Sequence, residues 1–116
     1  MASSQRLKKV NKVVKQELGK IILKEVEFPK TILVTLTDVE VSKDLREGKV
    51  FVSVIPEEKT KDIFKVLNKG IYQLQQLLNS RLRMRPVPKI RFLEERGLKE
   101  AEKVDKILDK IKEKSD

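Results

Sequence analysis

Ile63-Phe64-Lys65-Val66-Leu67-Asn68-Lys69-Gly70-Ile71-Tyr72-Gln73-Leu74-Gln75-Gln76-Leu77-Leu78-Asn79-Ser80-Arg81-Leu82 repeats apolar side chains at helical spacing, with one glycine near its middle. Ile63, Val66, Leu67, Ile71, Leu74, Leu77, Leu78 and Leu82 make the stripe, so the segment reads as an amphipathic helical run with one buried face. Glycine inside a helix costs about 1 kcal/mol relative to alanine. Gly70 therefore predicts a kink, a close backbone approach or a break into two helices.

The flanks of that run complete the fold. Pro86 and Pro88 stop the helical pattern, and Ile90 and Phe92 then alternate with Lys89, Arg91 and Leu93 as a short strand. Upstream, Val50-Phe51-Val52-Ser53-Val54-Ile55 is a strand closed by Pro56. It is reached from Ile32, Val34 and Leu36 through the turn-forming stretch Ser42-Lys43-Asp44-Leu45-Arg46-Glu47-Gly48, so the two strands form a hairpin. The alternation changes phase at Val39 and Val41, which predicts a bulge near Thr37 and Asp38. Leu7, Val10, Val14, Leu18, Ile21 and Ile22 define an opening helix over 4–26, with Ser3 or Ser4 as its cap and Pro29 beyond its end.

The order is α-β-β-α-kink-α-β. A long helical connection between the second and third strands predicts a parallel pair with a right-handed crossover. The expected architecture is α+β: a three-stranded mixed sheet covered by helices, its other face partly open because Thr35, Thr37 and Ser53 lie opposite apolar partners. Val104, Ile107, Leu108 and Ile111 add a last amphipathic helix. Residues 1–98 read as the domain, and 99–116 as a C-terminal helix and polar tail packed on it or extending from it. A chain of 116 residues has the size of one domain.

Composition restricts the chemistry. Lys and Arg number 27 against 18 Asp and Glu, a formal charge of +9 that favours polyanionic partners, nucleic acid first and anionic membrane second. No run approaches the roughly 18 apolar residues of a spanning helix, and Met1-Ala2-Ser3-Ser4 does not open an export signal. Absent Cys removes disulfides and thiolate sites, as a reducing cytosol permits. Absent His removes the commonest metal ligand and the usual general base at neutral pH. No phosphate loop and no nucleophile–base pair can be assembled. Glu57-Glu58 and Glu94-Glu95 read as solvated charges, so neither enzyme chemistry nor a cofactor nor a metal is expected.

The charge excess is local. Residues 1–30 carry eight basic and three acidic groups, residues 31–78 seven of each, and residues 79–93 five basic and none acidic. Lys8, Lys12 and Lys15 share one helix face away from the apolar stripe, where they can meet a phosphate backbone or simply solvate the surface. Arg81, Arg83 and Arg85, followed by Lys89 and Arg91, form a cluster with no carboxylate nearby in sequence. Arginine forks bind phosphate bidentately and stack on bases, although cations at a helix C-terminus also answer the macrodipole. Lys69 and Gly70 would place bare backbone beside a cation, which suits a phosphate, while a mid-helix glycine equally serves packing.

Taken together, Arg6, Lys8 and Lys9 on the first helix, Val39-Glu40-Val41-Ser42-Lys43-Asp44-Leu45 with Lys49-Val50-Phe51-Val52-Ser53, and Arg83-Met84-Arg85-Pro86-Val87-Pro88-Lys89-Ile90-Arg91-Phe92 resemble the ribosome-binding factor A family. The resemblance spans about residues 5 to 111. It implies a type II KH-like fold, in which the usual Gly-x-x-Gly loop is replaced by a helix-kink-helix with an Ala-x-Gly motif. Gly70 stands at that glycine, whereas Asn68 stands at the alanine. Glu95-Arg96-Gly97 also departs from the family's Asp-x-Ser type segment. The resemblance further implies a cytoplasmic, monomeric, non-catalytic factor that binds 16S rRNA on free 30S subunits and assists late assembly and maturation of the 16S 5′ end. Assembly GTPases are then candidate partners, and membranes are not. The alternative from composition alone is a basic module recognising an acidic protein or an anionic membrane surface. Its support is the scarcity of aromatics for base stacking.

Overall fold

The structure is a computed structural model and describes residues 3–95. The C-terminal helix expected from residue 99 onward, and the positions Arg96 and Gly97, lie outside the described residues. Ser4–Glu25 form α1, Leu33–Val41 β1, Glu47–Ile55 β2, Thr60–Lys69 α2, Ile71–Arg81 α3 and Lys89–Glu94 β3, with a 3-10 turn at Glu57–Lys59. The strands lie in the order β1-β2-β3, β1 antiparallel to β2 and β2 parallel to β3. This is the expected α+β arrangement with a mixed sheet.

Local chemistry accounts for the start of α1, the bulge in β1 and the turn into β2. Ser3 caps α1, its side-chain oxygen accepting from the Arg6 N–H at 3.1 Å. The register of β1 on β2 shifts between Leu36 and Asp38, so the phase change in the sequence is a bulge at Thr37. The hairpin differs from the sequence reading. Glu47 and Gly48 belong to β2, and the connection is confined to Ser42–Arg46, because Ser42 and Asp44 close it on themselves. Ser42 Oγ donates to Asp44 at 2.6 Å and accepts from the Glu47 N–H at 3.0 Å, while the Arg46 N–H donates to Asp44 at 3.1 Å. Those bonds, the Ser42 hydroxyl first, hold the Asp44 carboxyl below the ordinary range. Leu45 takes a left-handed backbone at φ 63°, a conformation unfavourable for leucine, and in that position its side chain is buried in the core.

One core lies between the helices and one face of the sheet. Val39, Val41, Val50, Val52, Val54, Ile90 and Phe92 point from the strands into it, and Val14, Leu18, Ile21, Ile63, Leu67, Leu74 and Leu78 meet them from the helices. The opposite sheet face presents Glu40, Lys49, Ser53, Lys89, Arg91 and Leu93, exposed or partly exposed among the described residues. Helices on one side and open sheet on the other therefore fix two surfaces of different character.

Candidate nucleic-acid interface

The helix run divides at Gly70, which belongs to neither α2 nor α3 and has φ −98° and ψ 7°. Of the three expectations for this residue, the break into two helices is what occurs. A close backbone approach does not, since a Cβ added there would meet nothing nearer than the Val66 carbonyl oxygen at 3.8 Å. Lys69 and Gly70 border a depression of about 380 Å³ that also takes in Glu25 and Glu27 at the end of α1. Carboxylates therefore flank the break on its α1 side.

Helix α3 runs back along α1, so its C-terminal end reaches the basic half of that helix. Lys8, Lys12 and Lys15 are exposed, without a hydrogen bond or ion pair among the described residues. Within α1 as a whole, seven cations stand against two acids. A groove of about 480 Å³ lies between α1 and the segment leaving α3, lined by Lys9, Val13, Glu17, Arg81, Arg83 and Met84 among others. Spacing alone groups Lys8, Lys12 and Lys15; packing adds Lys9, whose partners across the groove come from more than seventy residues away.

The arginines are not equivalent. Arg81 is not free of carboxylates, as a count along the sequence suggests: its guanidinium donates to Glu17 at 3.1 Å across the helix pair. The Arg81 bond, with Lys20 assisting against partial desolvation, holds the Glu17 carboxyl below its ordinary value. Arg85 turns a guanidinium nitrogen onto the carbonyls of Leu82 and Met84, at 2.9 and 2.6 Å, and so ties the segment that follows α3. Arg83 is exposed, carries no such bond among the described residues, and faces the groove.

Lys89 and Arg91, which follow those arginines in sequence, are carried to the open sheet face instead. There Lys89 lies opposite Glu47, Arg91 opposite Lys49, and Lys49 opposite Glu40. With Asp38 on the same side, three carboxylates accompany three cations. The five-cation segment is thus split by the β-strand alternation into a basic helical side and a charge-balanced sheet side. Among the described residues, no group of three or more potential metal ligands occurs, and no helix is long and apolar enough to cross a membrane.

A sheet covered on one side by helices, with a glycine break between its second and third helices and cations converging beside the first, defines a KH-like α+β domain. The model of the ribosome-binding factor A family matches residues 6–108, and the chain belongs to that family. It is 35% identical over 113 residues to ribosome-binding factor A of Halothermothrix orenii, covering 97% of this chain and 93% of the relative. The crystal structure of ribosome-binding factor A from Thermus thermophilus superposes with a TM-score of 0.66 at 26% identity, covering 76% of this chain and 94% of that one. A homology model of the Thermus thermophilus factor, fitted into a cryo-EM map of its complex with 30S, superposes with a TM-score of 0.61 at 28% identity, covering 75% and 92%.

Proposed function

We propose that this chain binds 16S rRNA on free 30S subunits and assists late assembly, including maturation of the 16S 5′ end, by holding RNA rather than by catalysing a reaction. The observation that carries the reading is the convergence of Lys9 and Arg83 on one groove, beside the unpaired Lys8, Lys12 and Lys15. Cations so placed attract a phosphate backbone, and phosphate neutralisation releases counterions. The family and the 30S complex of the Thermus relative support the choice of RNA. Arg83 is the leading arginine contact. Arg81 and Arg85 frame it, each with part of its hydrogen-bonding capacity committed within the protein. Lys69 and Gly70 are a secondary contact at the break, and Lys89 and Arg91 would meet RNA only from the sheet side. On this reading the protein is a cytoplasmic monomer of one KH-like domain over 1–98 followed by a C-terminal segment.

Sedimentation of the chain with purified free 30S subunits across a salt series tests the proposal. Association should weaken steeply with salt, and Arg83→Ala should weaken it further. Association that is absent, or indifferent to salt, removes the reading. Stronger binding to anionic vesicles than to subunits at physiological salt would return the charge to a membrane role.

A further inference from the structure

The chain has four Phe and one Tyr. Phe92 is buried and Phe28, Phe51 and Phe64 are partly so, whereas Tyr72 is 76% exposed. Tyr72 stands in the first turn of α3, roughly opposite the buried Leu74 and Leu78 at about 100° per residue, and therefore points away from the core. Gln73 and Gln76, both exposed, are its neighbours on that outer side. Helix α3 contains no carboxylate; Lys69 precedes it, and Arg81 and Arg83 lie at and beyond its far end.

Single exposed apolar residues are common, so exposure by itself decides nothing. What distinguishes Tyr72 is its surroundings. Apart from Val66 in the preceding helix, the large exposed apolar side chains lie on α1 or at the ends of β1 and β2, so the ring is not part of an apolar patch on α3 that a protein partner would bury. It sits instead beside the exposed amides of Gln73 and Gln76, which donate and accept hydrogen bonds, with Lys69 shortly before it in the chain and Glu25 and Glu27 across the depression that Gln73 lines. A flat π surface in that setting matches a nucleobase, whose stacking on an aromatic side chain is tolerant of sequence.

We infer that Tyr72 is a stacking platform for an unpaired base of an RNA strand lying along the outer side of α3, with Gln73 and Gln76 beside the base or its ribose and Lys69 toward a flanking phosphate. The inference rests on the RNA-binding reading above and adds the kind of nucleotide bound. A strand so placed must be locally single-stranded, because a base inside a duplex offers no free face.

The test compares binding of the full chain and of Tyr72→Phe, Tyr72→Leu and Tyr72→Gln to purified free 30S subunits at fixed salt. Phe keeps the ring and should bind within about twofold of the parent. Leu keeps apolar volume without a π face, and Gln keeps neither; each should weaken binding by about tenfold, the lower part of the range for one stacked base. Thermal melts of all variants should coincide, since the side chain is exposed. Placing a benzoylphenylalanine photocrosslinker at position 72 should give an adduct degraded by ribonuclease. Leu and Gln variants that bind like the parent overturn the stack while leaving the RNA-binding reading in place, as does an adduct only with a ribosomal protein. A parent chain that fails to bind subunits overturns both.

Discussion

The side chain of Gln75 pairs with the backbone of Ile90 as a neighbouring strand would. Its Oε1 accepts from the Ile90 N–H at 2.8 Å, and its Nε2 donates to the Pro88 carbonyl at 3.0 Å. Asn79 holds the amide from the next turn of α3, accepting from the same nitrogen at 3.0 Å. The other edge of the sheet has a counterpart, for Asn11 Oδ1 in α1 accepts from the Val41 N–H at 2.8 Å. Each edge strand is thus closed at one point by an amide from a helix, which limits its use as a template for another chain.

Gln75→Ala should therefore cost more than a surface substitution. It leaves a partly buried N–H and a carbonyl without their partners, and the loss should be about 1–3 kcal/mol. Urea unfolding measures it, and hydrogen exchange should quicken at Ile90. An unchanged midpoint would show that water replaces both bonds freely.

Gly70→Ala separates fold from function at the helix break. The glycine has a negative φ and room for a methyl group, so alanine should be neutral or stabilise by about 0.4–1 kcal/mol through the unfolded chain. If RNA backbone contacts this position closely, 30S binding should fall while stability holds. Loss of stability would mean that the break depends on glycine in a way the geometry does not show.

Acid should loosen the link between α1 and the end of α3. Because the Glu17 pKa is depressed in the folded chain, the pair's contribution is present above the unfolded-state pKa and is lost as pH falls through the folded-state value. An NMR titration of the Glu17 carboxyl should show a midpoint below the ordinary glutamate value, rising toward it in Arg81→Ala. At neutral pH, Glu17→Gln should free Arg81 and strengthen 30S binding modestly; weaker binding would show that the pair positions the groove.

The two faces should differ in their dependence on salt. Each of Lys8→Ala, Lys12→Ala and Arg83→Ala that removes a phosphate contact should lower the slope of log affinity against log salt by about one. Lys89→Ala and Arg91→Ala, made on the charge-balanced sheet side, should change it less. Equal effects from both sets would place RNA on both faces.

Much of the fold was legible because its signals are local. Helical spacing marked α1, the phase change at Val39 marked the bulge, and Gly70 marked the break. The start of β2 was misread because Glu47 and Gly48 have the composition of a turn. Their place in the strand depends on Ser42 and Asp44 closing the loop early, and on Gly48 facing Val41 and lying beside Ile90 in β3. The candidate interface was less legible for a related reason. Neither the Glu17–Arg81 pair, 64 residues apart, nor the strand alternation that turns Lys89 and Arg91 away from Arg83 follows from counting charges along the chain. Lys9 belongs to the groove only once α3 lies against α1.

The balance of charge on the open sheet face bears on what a bound copy shows to its surroundings. Seated on RNA by its helices, the protein would turn outward a surface with as many carboxylates as ammonium and guanidinium groups among the described residues. Such a surface offers little to a second RNA. One molecule would then occupy one subunit without bridging it to another, and a strongly basic protein could coat its target without gluing targets together.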